Sequence, residues 1–220
     1  MKDLTIREPE SALQPTLFPS RMDRQEVANQ AAHCNSWTSW EDCFWFHKYA
    51  SFAPEGSYIL EIGTYLGRSA YAMGIQSQAA RLVLVDPWGN GNQMACPTDD
   101  LWRDVQNNLR RFRIRGAKPR VYYVRGGSEN PAVIRRVSNA IRGLPYGFIF
   151  IDGLHTYTAC KADIQHYVLP NVPLDAFVGM HDYMQSAPGS TQAINELLDG
   201  GEFRLVETTG NLAILKRVAL

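Results

Sequence analysis

No excess charge of either sign marks this 220-residue sequence: 22 Lys and Arg stand against 22 Asp and Glu. That balance argues against nucleic acid or an anionic membrane surface as a partner, since both select for basic patches. Only four cysteines occur, Cys34, Cys43, Cys96 and Cys160, and none has CxxC spacing. They form neither a disulfide framework nor a cysteine zinc site, and a reducing, cytoplasmic location is expected. No apolar run approaches the ~20 residues of a membrane-crossing helix. The opening MKDLTIREPE lacks the apolar stretch of a secretory signal, and internal repeats and low-complexity tracts are missing too. What is left is a chain long enough for one α/β domain with a substantial core.

What is present is an alternation of strand and helix patterns. Residues 1–22 are polar and broken by Pro9, Pro15 and Pro19, which predicts an arm, either mobile or wrapped around a partner subunit in a homodimer. Residues 23–56 read as a helical cap. Within it, Trp37, Trp40 and Phe44 fall at i, i+3 and i+7 and predict a face packed on the sheet. A second reading has part of that face roofing a substrate pocket. From 57 to 220 strands are predicted at 58–62, 81–85, 120–124, 146–151 and 176–180. Helices are predicted at 68–77, 101–112, 131–142, 158–168 and 191–199. Two last strands, 203–207 and 212–216, flank Thr209-Gly210-Asn211, a hairpin signal. Such a series predicts a doubly wound, mostly parallel, Rossmann-like sheet with an antiparallel C-terminal hairpin.

Three strands end abruptly in polar residues, and in such a sheet ligands lie beyond the carboxyl ends of the strands. The first runs into Glu61-Ile62-Gly63-Thr64-Tyr65-Leu66-Gly67-Arg68-Ser69. Gly63 permits a tight turn and close backbone approach, and Gly67 a close-packed helix start. Asp86 ends the second strand, where a carboxylate can accept the ribose hydroxyls of a nucleoside. A dinucleotide fingerprint needs a second glycine where Tyr65 stands, so a cofactor without phosphates, such as S-adenosylmethionine, suits the turn better. Its sulfonium is compatible with the carboxylates of Glu61 and Asp86. The other two strands end in Asp152-Gly153-Leu154-His155 and His181-Asp182-Tyr183. Paired carboxylates suit Mg²⁺, and an imidazole suits general-base work.

These motifs, with Val85-Asp86-Pro87 and Gly126-Gly127-Ser128, occur in the order seen in class I S-adenosylmethionine-dependent methyltransferases. Over residues 57–218 the chain resembles most the metal-dependent O-methyltransferases of catechol, sugar and macrolide tailoring. The resemblance implies that Gly63 and its neighbours Thr64, Tyr65, Gly67 and Ser69 meet the methionine moiety, Asp86 the ribose, and Ser128 the adenine. Trp88 either stacks on the adenine or is a buried structural tryptophan. Asp152 and His155 would supply a metal ligand and the base, with Asp152 also bordering the cofactor. Asp152, His181 and Asp182 form the expected metal set. His181 departs from the pattern, which places two acidic residues there. Imidazole suits Mg²⁺ poorly, so the alternatives rank as weak Mg²⁺, another divalent ion, or no metal.

The expected activity is O-methylation of a small hydroxylated acceptor in natural product biosynthesis. Two alternatives stay open, a nucleoside-binding protein without catalysis and a nicotinamide-dependent oxidoreductase. Three further features have bland and functional readings. Arg110 to Arg120 form a basic cluster best read as a solvated helix end. Residues 88–100 read as a lid, and 185–190 as a wall of the acceptor pocket.

Overall fold

The computed structural model describes residues 4–10, 13, 17–34, 36–75, 77–89, 100–114 and 120–220; side chains at 111–114 are not among them. Seven strands form one sheet: β1 (Tyr58–Ile62), β2 (Arg81–Asp86), β3 (Arg120–Arg125), β4 (Tyr146–Ile151), β5 (Phe177–Met180), β6 (Phe203–Thr209) and β7 (Leu212–Arg217). Their order is β3-β2-β1-β4-β5-β7-β6. The first five are parallel, and β7 pairs antiparallel with both β5 and β6. The predicted doubly wound sheet and C-terminal hairpin are therefore both present.

β1 lies inside the sheet between β2 and β4, and all five of its residues are buried. A central parallel strand is covered on both faces, so it reads as a continuous apolar run. Ile59, Leu60 and Ile62 are each at most 1 % exposed, and burial of such side chains contributes about 1.5–3 kcal/mol apiece. The one interruption is Glu61, fully buried in this strand.

Helices cover both faces. One layer holds α1 (Arg24–Ala31), α2 (Trp40–Ala50), α3 (Arg68–Gly74) and α4 (Leu101–Ile114). The other holds α5 (Pro131–Ile141), α6 (Tyr157–Asp163) and α7 (Pro188–Asp199). α6 runs on into a π-helical turn, Ile164–Val168. Residues 4–10 lie along the second layer. The Glu10 N–H donates to the Leu205 carbonyl, the Arg7 N–H to the Tyr183 hydroxyl, and the Asn195 amide to the Thr5 carbonyl.

The expected helical cap consists of two helices, α1 and α2. Asp23 caps α1 with a reciprocal Glu26 bond, and Ser39 caps α2. The break falls around Trp37, so the expected Trp37–Trp40–Phe44 stripe does not form. Trp37 is 70 % exposed in the connection, and Trp40 38 % exposed at the first position of α2. The core-facing stripe is instead Cys43, Phe46, His47 and Ala50, at i, i+3, i+4 and i+7. Arg68 holds the connection from below. It donates to the carbonyls of Cys34, Ser36 and Thr38 and lies over the Trp40 ring at 4.1 Å. Cys34, Cys43 and Cys160 are buried, and Cys96 falls outside the described residues. Among the described residues no helix is long and apolar enough to cross a membrane.

Candidate active site at the carboxyl ends of the strands

Register brings the polar strand ends together. Ile62 pairs with Val85 on one side and Ile151 on the other, and Ile151 pairs with Met180. Three hydrogen bonds continue the ladder one step further: Gly63 N–H to the Val85 carbonyl (2.8 Å), Asp152 N–H to the Ile62 carbonyl (2.7 Å), and His181 N–H to the Ile151 carbonyl (2.9 Å). Gly63, Asp86, Asp152 and His181 therefore stand side by side at one edge of the sheet.

The glycine turn is built by backbone demands. Gly63 has φ +85°, and a Cβ there would stand 1.9 Å from the Asp152 carbonyl oxygen. Only glycine lets the two strand ends lie this close. Gly67 at φ +86° opens α3; a Cβ there would stand 3.3 Å from Leu109 and Val105 of α4. Tyr65 sits between them at φ +48°. Asp86 ties the turn down: its two oxygens accept the N–H groups of Tyr65 (2.9 Å) and Trp88 (2.7 Å). A carboxylate has lone pairs left for two further hydroxyls. Burial pushes the Asp86 carboxyl up, and those backbone N–H groups pull it back.

Trp88 is 1 % exposed, in an aromatic cluster with Trp102 and Tyr123. Its indole N–H donates to the Tyr65 carbonyl at 2.8 Å. Of its two readings, this position matches the buried structural tryptophan. Ser128, half-buried after β3, accepts from the Tyr167 hydroxyl through its carbonyl.

Glu61 and Thr64 carry buried polar atoms without hydrogen-bond partners beside this turn. Burial pushes the Glu61 carboxyl up to about 8, with the nearby Ser69 and Thr64 hydroxyls opposing. Orphaned buried polar groups cost free energy unless something completes them. A cationic cofactor resting beside the turn would meet that need.

The second half of the site is a knot of carboxylates and imidazoles. His155 Nδ1 pairs directly with Asp182 Oδ2. His181 Nδ1 lies 3.3 Å from Asp152 Oδ1 and 3.5 Å from Asp182 Oδ2. Its other nitrogen, Nε2, lies 3.5 Å from Asp42 Oδ2. Asp182 adopts φ +56°, a left-handed conformation that strains most non-glycine residues and recurs at functional sites. Burial pushes Asp152 up, with His181 opposing. For Asp182 burial is outweighed by the two imidazoles, which hold its carboxyl well below the usual range. The Asp182 bond pushes His155 up. Burial works against charge on His181, but the surrounding carboxylates win and push it up to about 12.

Asp152, His155 and Asp182 each offer a ligand atom within 4.8 Å of the others, a spacing that fits one divalent ion. His181 adds a nitrogen beside the same carboxylates. Cys160 and Ser190 line the same pocket as Asp152, His155, His181 and Asp182. Ser190 belongs to the 185–190 segment expected as a pocket wall. Tyr183 is buried, donating to Asn195 Oδ1 (2.8 Å), and Tyr157 donates to Glu196 (2.7 Å); both pack. Asp42 was not among the expected site residues. Its one sequence signal is Ser39-x-x-Asp42, the spacing of a helix start, which says nothing of the reach to His181. Residues 90–99 of the lid expected at 88–100, and in the basic cluster residues 115–119 and the side chains at 111–114, lie outside the described residues.

Comparison with known proteins agrees with this fold. The methyltransferase-domain family matches residues 60–183. No curated protein matches the sequence. Many solved structures are similar in fold, three of them O-methyltransferases by name. CalS11, a TDP-rhamnose 3′-O-methyltransferase of calicheamicin biosynthesis, is 16 % identical with TM-score 0.60 over 88 % of this chain and 92 % of that one. The O-methyltransferase NovP is 15 % identical, with TM-score 0.58 and 88 % of both chains covered. TomG of Streptomyces achromogenes, an O-methyltransferase of tomaymycin synthesis solved with S-adenosylmethionine, is 17 % identical, with TM-score 0.58 and 93 % of both covered. The chain belongs to the methyltransferase-domain family, and its sheet is that of the class I S-adenosylmethionine-dependent enzymes.

Proposed function

We propose that this methyltransferase transfers the methyl group of S-adenosylmethionine to a hydroxyl oxygen of a small natural product or sugar, with a divalent ion, Mg²⁺ first, assisting. The observation that carries the reading is the Asp152–His155–Asp182 cluster standing one strand from the Gly63 turn. CalS11, NovP and TomG, all named as O-methyltransferases, support the acceptor atom, and CalS11 supports a sugar.

When bound, S-adenosylmethionine supplies an electrophilic methyl group, and the ion would lower the pKa of hydroxyls between Asp152 and Asp182. The chain's own residues do the rest. Residues 63–69 seat the methionine portion, Asp86 offers lone pairs to the ribose, and Ser128 borders the adenine. Asp152 and Asp182 orient the acceptor oxygens or hold the ion. His155 is the base. Its Nδ1 is engaged by Asp182, which fixes the tautomer and leaves Nε2 to take the hydroxyl proton. Its side chain is 49 % exposed and so open to an incoming acceptor.

Calorimetric titration with S-adenosylmethionine comes first, then S-adenosylhomocysteine production on a panel of catechols, sugars and macrolides. Saturable binding and a product signal that falls when EDTA removes the ion are expected. Binding without turnover on any hydroxylated acceptor would leave a cofactor-binding protein; turnover indifferent to EDTA would remove the ion.

A further inference from the structure

His181 stands where the resembling enzymes place an acid, and the fold has put a carboxylate behind it. Asp42 comes from α2, outside the residues that match the methyltransferase family. Its side chain is buried, and its Oδ2 accepts the Ser39 hydroxyl at 2.6 Å. The Ser39 hydroxyl in turn accepts the Asp42 N–H at 3.0 Å, so carboxylate and helix start brace each other. From that anchored position Oδ2 faces His181 Nε2 at 3.5 Å, while His181 Nδ1 faces Asp152 and Asp182. The hairpin tip closes the other side: a Cβ on Gly210 would meet Asp42 Oδ1 at 3.3 Å.

An imidazole that ligates a metal through one nitrogen usually donates its other N–H to a carboxylate, which fixes ring orientation and tautomer. The row Asp42, His181, then the strand-end carboxylates has that order. We propose that Asp42 is a positioning residue of the active site: it holds one proton of His181 on Nε2, so that a divalent ion shared with Asp152 and Asp182 would displace the other proton, from Nδ1, and take its place. The helical cap is then part of the ion site. This rests on the metal-assisted reading of the function, and it explains how an imidazole can stand in a position that otherwise carries an acid.

The test uses the full chain and MnCl2, followed by the electron paramagnetic resonance of free Mn²⁺, with S-adenosylmethionine present. Asp42→Ala is expected to weaken Mn²⁺ binding by about 10–100-fold, the usual effect of removing such a carboxylate. Asp42→Asn, whose amide oxygen still accepts an N–H, should recover most of it. In a His181→Ala background, Asp42→Ala should cost nothing further, because its effect passes through the imidazole. S-adenosylmethionine affinity should be the same throughout. Unchanged Mn²⁺ affinity in Asp42→Ala, or an equal loss with and without His181, would overturn the proposal. So would a wild-type chain that binds S-adenosylmethionine but no Mn²⁺. Loss of S-adenosylmethionine binding by the wild type would instead sink the functional reading. A second measurement needs no variant: long-range ¹H–¹⁵N spectra with Zn²⁺ bound should show His181 protonated at Nε2, and protonation at Nδ1 contradicts the proposal.

Discussion

Gly63→Ala probes the strand-end contact that builds the site. The added Cβ would stand 1.9 Å from the Asp152 carbonyl oxygen, 2.5 Å from its carbonyl carbon and 3.0 Å from the Gly153 nitrogen. All three are backbone atoms, and β4 is held between β1 and β5, so neither strand end can give way without moving Asp152. The left-handed conformation costs a non-glycine residue about 1–2 kcal/mol, and crowding a packed site costs about 1–3 kcal/mol more. Roughly 3 kcal/mol in all lowers Tm by about 6–12 °C in a chain of this size. Two other glycines separate the contributions. Gly67→Ala, at φ +86°, meets only the side chains of Leu109 and Val105 at 3.3 Å, which can shift. Gly56→Ala, at φ +78°, meets nothing within 4 Å and should show the conformational cost alone. Thermal and urea denaturation of the three variants should rank the losses Gly63, Gly67, Gly56, with the Gly63 variant also losing S-adenosylmethionine affinity. Equal losses at all three positions, or full cofactor affinity in Gly63→Ala, would refute the reasoning.

Other expectations follow from single residues. Burial pushes the Asp163 carboxyl up to about 7 from an ordinary 3.8, with Ser128 opposing. The native state therefore binds more protons than the unfolded chain between those two values, and stability is lost as pH rises through that window. Asp163→Asn should remove the loss, gaining up to about 4 kcal/mol above pH 7 and little below pH 4; parallel urea-midpoint profiles for variant and wild type would contradict it. His155→Ala should slow turnover by about 10²–10⁴-fold with S-adenosylmethionine affinity unchanged; undiminished kcat would remove it as the base. Asp86→Ala should weaken cofactor binding, whereas Asp152→Ala should spare it and abolish turnover. Equal loss of cofactor affinity in both would merge the two ends of the site.

The inner strands were legible as short apolar runs bounded by turn residues, and the last two by alternation around a hairpin signal. Expected and observed limits coincide for β1 and β4 and differ by one or two residues elsewhere. The polar strand ends were legible for the same reason, since parallel register alone aligns Gly63, Asp152 and His181. The cap was not. Its tryptophans fall at helical spacing, but Arg68, some thirty residues away, supplies the donors that stabilise an open connection there. Asp42 went unseen because its contact with His181 spans 139 residues of sequence and depends on how α2 packs against the sheet. Trp88 shows the converse: its place after β2 was read correctly, while the burial of its ring is decided by Trp102 and Tyr123.

The most direct test of a methyl donor and a carboxylate pair sharing one mouth of the sheet is magnetic. S-adenosylmethionine labelled with ¹³C at the methyl group is bound to the protein and Mn²⁺ is titrated in. The methyl resonance should broaden as the ion fills the site, and Asp152→Asn with Asp182→Asn should abolish the broadening while the donor stays bound. A methyl signal that remains sharp with both donor and Mn²⁺ bound would place them apart and contradict the proposed site.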